Sequence, residues 1–137
     1  MPDRIKLDLV TPENLVLSEE FESVNAVSVL GDFGVLPGHA PMLALLRPGI
    51  VTAVKEGKKE VFAVKAGIAE IEPEKVVIMT ETAVRGSDVD VEEARRELAE
   101  TEEKSKACTD SADSPEFKLL AEKLDWLRAK IAAASTL

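Results

Sequence analysis

The stretch Val84-Arg85-Gly86-Ser87-Asp88-Val89-Asp90-Val91-Glu92-Glu93-Ala94 divides the chain into two kinds of sequence. All seven glycines (31, 34, 38, 49, 57, 67 and 86) and six of the seven prolines lie at or before Gly86, and only Pro115 follows. Gly and Pro punctuate short strands and are kept out of helix interiors, so their disappearance marks a change of architecture. The expected organisation is a strand-built domain over 1–86 and a helical appendage over 87–137. Charge does not mark this boundary. Residues 1–88 carry nine basic and fourteen acidic side chains, and residues 89–137 carry eight and twelve.

Upstream of the break the pattern has period two. Ile5, Leu7 and Leu9 alternate with Arg4, Lys6 and Asp8, as a half-buried strand requires, and Val27 and Val29 alternate with Ala26 and Ser28. Val61-Phe62-Ala63-Val64 and Val76-Val77-Ile78-Met79 read as further strands, the second preceded by the turn Pro73-Glu74-Lys75. Glu56-Gly57-Lys58 reads as a hairpin turn between strands over 51–55 and 59–65. Many short strands with frequent turn signals predict an antiparallel β-sandwich or flattened barrel.

Downstream the period lengthens to that of a helix. Asp90 and Glu93 form a capping pair, and Val91, Ala94, Leu98, Thr101, Ser105 and Cys108 follow at spacings of three and four. That stripe is thin and made largely of small residues. Cys108 to Ser114 reads as a turn, with Ser114 as N-cap and Pro115 at the first position of a second helix. Phe117, Leu120, Ala121, Leu124, Leu127 and Ile131 form the apolar face of that helix. Two helices joined by a short polar loop predict an antiparallel helical hairpin. Its thin first stripe buries little apolar area, so the hairpin should depend on docking and be able to detach.

Composition narrows the function. Seventeen basic against twenty-six acidic residues give a net charge of −9, which repels nucleic acid and anionic lipid alike. With 137 residues the chain can build one modest core, and no apolar run approaches the roughly 20 residues of a membrane span. The N-terminus alternates charged and apolar residues and lacks the pattern of a secretory leader, so the protein is expected to stay where it is made. One His, one Cys and no Tyr leave little for catalysis, and there is no cluster at metal-ligand spacing. Cys108 reads as a free thiol of a reducing compartment. No catalytic residue, metal or cofactor is expected, and the composition is that of a binding or regulatory protein.

The most distinctive segment is Gly31-Asp32-Phe33-Gly34-Val35-Leu36-Pro37-Gly38-His39-Ala40-Pro41-Met42-Leu43. Its glycines permit positive φ and its prolines fix φ, so it is expected to be a rigid, shaped loop rather than an ordinary strand. It lacks the spacing and the Lys-Ser/Thr of a phosphate-binding loop, and His39 has no nucleophile partner. A recognition surface is the expected role.

This segment, together with Leu46-Arg47-Pro48-Gly49, resembles the epsilon subunit of the rotary F-type ATP synthase. Ala66-Gly67-Ile68-Ala69-Glu70-Ile71 resembles that family's Gly-Gly-x-x-Glu-Val turn, and Glu81-Thr82-Ala83-Val84-Arg85 the approach to its helices. The resemblance implies a non-catalytic rotor subunit of the central stalk, peripheral at the cytoplasmic face of a bacterial plasma membrane and held there by proteins rather than lipid. Its sandwich would clamp the gamma subunit to the c-subunit ring. Its hairpin would fold down on the sandwich or extend toward the catalytic beta subunits, the extended form inhibiting ATP hydrolysis.

Residue by residue, the resemblance places Asp32, Phe33 and Gly34 at the c ring and His39 and Met42 near gamma. Lys118, Lys123, Arg128 and Lys130 would approach an acidic loop of the beta subunits. Some members bind ATP through Ile/Leu-Asp-x-x-Arg-Ala. Here the matching residues are Val89, Asp90, Val91, Glu92, Glu93 and Ala94, with Glu93 in place of the phosphate-facing Arg, so ATP binding is not expected. The competing readings are a stand-alone nucleotide-sensing or adaptor β-sandwich protein and a small enzyme using His39.

Overall fold

The computed structural model describes residues 3–108 and 113–136. Its first strand, β1 (Ile5–Val10), realises the N-terminal alternation, with Ile5, Leu7 and Leu9 fully buried and Lys6 exposed. The strands that follow are β2 (Leu15–Phe21), β3 (Ser23–Ser28), β4 (Gly31–Val35), β5 (Met42–Leu46) and β6 (Gly49–Lys55). Next come β7 (Lys58–Val64), β8 (Gly67–Ile71), β9 (Lys75–Thr80) and β10 (Ala83–Arg85). A single 3-10 turn at Gly86–Asp88 leads into helix α1 (Val91–Ala107), and α2 (Pro115–Ser135) completes the described structure.

The ten strands form one sheet in the order β10-β7-β6-β3-β5-β8-β9-β1-β2, with β4 hydrogen-bonded to β3. Between β3 and β5 the pairing is reduced to Ser28 and Leu46, and there the sheet folds over to face itself. On the other side the backbone N–H of Glu22 donates to the Val54 carbonyl at 2.8 Å, bringing the end of β2 against β6. The result is a flattened, nearly closed barrel around Ile5, Leu7, Leu9, Phe21, Val24, Val35, Val51, Phe62, Ile71 and Ile78. The sandwich-or-barrel expectation and the helical hairpin are both borne out. One pair departs from the antiparallel rule: β1 runs parallel to β9, with Leu7 beside Val76 and Leu9 beside Ile78.

The hairpin turn at 56–58 is as expected. Lys55 pairs with Lys58, and both Glu56 (φ 52°) and Gly57 (φ 76°) take the left-handed conformation that a two-residue turn between twisted strands needs.

Two expectations are corrected. The segment Gly31 to Leu43 is not a loop throughout, because its first five residues are strand β4, which pairs with β3 in full register. Gly34 leaves room there for the Asn25 side chain. It lies opposite Asn25, where a Cβ would come within 2.7 Å of the Asn25 Oδ1, so the close approach it permits is an internal one. In β3 the inward face is Val24, Ala26 and Ser28, not Val27 and Val29. The small residues face inward because the Ser28 hydroxyl is satisfied locally, donating to the Gly31 carbonyl at 2.8 Å and accepting from the Leu30 N–H. Val29 is turned out at the hairpin tip, 59% exposed.

The helices begin as read. The Asp90 carboxylate accepts from the Glu93 N–H at 3.1 Å, and the Ser114 hydroxyl accepts from the Phe117 N–H at 3.2 Å. In α1, Ala94 and Thr101 are buried and Val91, Leu98, Ser105 and Cys108 half-buried, which is the anticipated stripe. The turn expected over Cys108 to Ser114 falls on residues 109–112, outside the described residues. In α2, Leu124 and Leu127 are buried as expected, but Ala121 is exposed and a second face, Ala129 and Ala133, is buried as well. That second face packs on Val61 and Ala63 of β7, with Ile50 and Trp126 at its margin. It explains why Val61-Phe62-Ala63-Val64 is buried at every position: Phe62 and Val64 face the barrel core, and Val61 and Ala63 face the helix.

Candidate functional site

Strand pairing assembles an apolar row on the outer surface that no single strand reveals. Across β5, β8 and β9 the register sets Leu45 beside Ile68 and Ile68 beside Met79. It continues through Val10 of β1, beside Met79, to Leu15 of β2. Leu45 is 57% exposed, Ile68 37%, Met79 43% and Leu15 61%. Their side chains point out because their strand neighbours, Leu46, Ala69, Ile78 and Val16, are turned to the core. A shallow depression of about 410 Å³ lies along the row, lined by Val10, Pro12, Ile68 and Met79 among others. Five apolar residues in line across five strands make a contiguous exposed patch, which a soluble surface carries where something docks.

The row ends beside the tip of the β3–β4 hairpin. The Val29 N–H donates to the Leu45 carbonyl at 2.9 Å, and the next residue, Leu30, is 96% exposed. Asp32 and Gly34 face outward on β4, whereas Phe33 turns inward, half-buried against the core. Asp32, Phe33 and Gly34 share a groove of about 380 Å³ with Asn25, Val27, Ile50 and Thr52. The structure therefore brings the three residues of the c-ring expectation together, with Asp32 the one whose side chain is presented to solvent.

His39 lies in the short connection between β4 and β5. Its backbone N–H donates to the Leu36 carbonyl at 3.1 Å, and its Nδ1 lies 2.6 Å from the Ala40 carbonyl oxygen. The loop is tied down by the Gly38 N–H, which donates to the Pro73 carbonyl at 2.8 Å, with Gly38 itself at φ 86°. Met42 opens β5, 38% exposed, three residues before Leu45. These two residues lie upstream of the apolar row on the same segment and are not part of it: Met42 is an odd number of positions from Leu45, on the opposite strand parity, and pairs with the buried Ile71. The row itself went unread in the sequence, because its members sit on five strands and its order depends on non-local pairing. The outward Leu43 and Leu45 of Met42-Leu43-Ala44-Leu45-Leu46 were the available signal.

The four basic residues of α2 do not act as one cluster. Lys118 and Lys123 are exposed. Arg128 lies 3.9 Å from Glu102 of α1 and 3.9 Å from Asp125. Lys130 is half-buried, with its Nζ 5.6 Å from the Trp126 ring centre. Among the residues of the degenerate nucleotide motif, Asp90 caps α1, Ala94 is buried, Val89 is half-buried and Glu93 is exposed. Among the described residues no group of His, Cys, Asp or Glu is arranged to hold a metal, and no helix is long and apolar enough to cross a membrane.

Comparison with known proteins agrees with this architecture. Residues 4–86 match the family model described as ATP synthase, Delta/Epsilon chain, beta-sandwich domain. The ATP synthase epsilon chain of Geobacter metallireducens is 38% identical over 136 residues, covering 99% of each chain. That of Geotalea uraniireducens is 43% identical over 103 residues, 75% of each chain. Among solved structures, a chain of the Euglena gracilis mitochondrial ATP synthase (OSCP/F1/c-ring) superposes with a TM-score of 0.83 at 26% identity, covering all of this chain and 84% of the other. A chain from the central stalk and c ring of the Tetrahymena thermophila mitochondrial enzyme shares the fold, with a TM-score of 0.63 at 14% identity, covering 94% of this chain and 95% of that one.

Proposed function

The chain belongs to the epsilon-chain family of ATP synthases, and from that premise we propose that its barrel joins the gamma subunit to the c-subunit ring while its hairpin restrains ATP hydrolysis. Like the family, it is an accessory, non-catalytic subunit of the central stalk, and it works through surfaces. The observation that carries the reading is the row Leu45, Ile68, Met79, Val10 and Leu15, an apolar surface left uncovered among the described residues. We assign gamma to that row, and carry the contact on to His39 and Met42 upstream on the same segment. The c ring is assigned to the adjoining hairpin tip, where Leu30 and Asp32 are presented and Gly34 and the inward Phe33 shape the strand behind them.

The two assignments are geometrically compatible. Both surfaces meet at Leu45 and Val29, so one rigid body can bridge a stalk and a ring without a hinge between the two contacts. The division into a barrel over 1–86 and a movable hairpin over 87–137 belongs to the same proposal. It is supported by the way the hairpin attaches: α1 packs on α2, and α2 packs on the sheet through alanines. In the extended form, Lys118, Lys123, Arg128 and Lys130 would face the beta subunits. Arg128 would exchange its loose pairs with Glu102 and Asp125 for acidic groups there, a small change at an exposed site. Attachment is through protein, at the cytoplasmic face of a bacterial membrane.

The regulatory part is tested by removing residues 89–137 and assembling the complex with what remains. The expected result is a higher ATP hydrolysis rate in a complete assembly. An unchanged rate in a complete assembly contradicts the regulatory role.

A further inference from the structure

The docking of α2 is unusually close, and one atom position decides it. Gly86 is buried in the 3-10 turn between β10 and α1. A Cβ there would lie 2.6 Å from the Ala133 carbonyl oxygen, 3.0 Å from its carbon and 3.3 Å from the Val61 carbonyl oxygen. All three are backbone atoms, so no side-chain rotation relieves the contact. Gly86 has no positive φ, so the absence of a side chain is required by this approach and not by the turn.

The helix face matches. Ala129 and Ala133 lie one turn apart over Val61 and Ala63, and Ala133 is fully inaccessible. Leu124 and Leu127, on other faces of α2, are buried while α1 packs along the same helix. At the far end of the contact, Trp126 is flanked by Lys65 of the barrel and Lys130 of its own helix, each with Nζ 5.6 Å from the ring centre. The docked hairpin is thus attached along about two turns of α2, between a tight backbone contact at Gly86 and an aromatic clamp at Trp126.

We propose that Gly86 is the seat of the docked hairpin and that residue size at this seat sets the balance between docked and released forms. A methyl group at position 86 must displace either α2 or β7. Strand β7 is paired on both edges, to β6 and β10, and carries Phe62 into the core, whereas α2 meets the barrel through side-chain packing, its alanine face with Ile50 and the Trp126 clamp at the margin. The helix therefore yields and the barrel stays folded. This rests on the proposed regulatory role only for its consequence in the complex, since the seat itself belongs to the isolated chain.

Trp126 is the single tryptophan, so its fluorescence reports the seat directly. In the full chain, Gly86→Ala is expected to raise the ratio of released to docked hairpin roughly 10-fold. The readout is red-shifted Trp126 emission and increased quenching by acrylamide, with the far-UV strand signal retained. Ala133→Leu, which places the added bulk on the helix, is expected to do the same. Trp126 remaining shielded in both folded variants overturns the proposal, as does loss of the strand signal in both. Within the assembled complex, release is expected to lower ATP hydrolysis. Released Trp126 with unchanged hydrolysis leaves the seat standing and contradicts the regulatory reading instead.

Discussion

Replacing Leu45 by Asp isolates the proposed gamma contact from the stability of the barrel. Leu45 is 57% exposed and points away from the core, opposite Ile68 across the β5–β8 ladder. Full burial of a leucine side chain is worth about 1.5–3 kcal/mol, so the part left uncovered here can contribute about 1–1.5 kcal/mol when a partner covers it. Aspartate forfeits that term and adds the desolvation of an unpaired carboxylate, which brings the total to about 3 kcal/mol or more. At about 1.4 kcal/mol per factor of ten, the affinity for the rest of the stalk should fall roughly 100-fold or more. Leu45→Ala, which loses only the apolar term, should cost roughly 5–10-fold. The assay is titration of each variant into F1 depleted of its own epsilon chain, with thermal unfolding of the free variant as the folding control. A folded Leu45→Asp protein that binds within about twofold of the parent refutes the assignment of the row to gamma.

Two further outcomes follow from the same geometry. A Cβ at Gly67 would sit 2.1 Å from the Met79 carbonyl oxygen and 3.0 Å from both the Met79 carbonyl carbon and the Thr80 Cα. Gly67→Ala should therefore force β8 and β9 apart, costing about 3 kcal/mol or more and lowering Tm by roughly 10 °C or more in a circular-dichroism melt. Asp32→Arg reverses the negative charge that β4 presents beside the hairpin tip, and in reconstituted vesicles it should lower proton pumping per ATP hydrolysed. Unchanged pumping in an intact assembly counts against Asp32 as a c-ring contact.

Local chemistry was legible in the sequence wherever one segment carried the whole signal. The Ile5, Leu7, Leu9 alternation, the Glu56-Gly57 turn, and the Asp90 and Ser114 caps each appear where residue type and spacing place them. What could not be read depends on contacts between distant segments. The parallel pairing of β1 with β9 joins residues about seventy apart, and nothing in either strand encodes its direction. In β3 apolarity alone points to Val27 and Val29 as the inward face, because they are more apolar than the alternating Ala26 and Ser28. Ser28 can nevertheless point inward, since Gly31 and Leu30 satisfy its hydroxyl.

The candidate site divides in the same way. The Gly31–Leu43 segment drew attention through its composition, yet half of it is strand, and its Gly34 serves an internal contact with Asn25. The apolar row and the second face of α2 are products of tertiary register. The continuous run Val61 to Val64 was the only local sign that something covers β7 from outside.

Whether this chain bridges gamma and the c ring is decided by solubilising membranes that carry the tagged full-length chain and identifying what remains bound after affinity purification. Gamma and the c ring are expected to be recovered together with the wild-type chain, and both to be lost with Leu45→Asp. Recovery of neither with the wild-type chain, or of both in undiminished amount with Leu45→Asp, would contradict that bridging role.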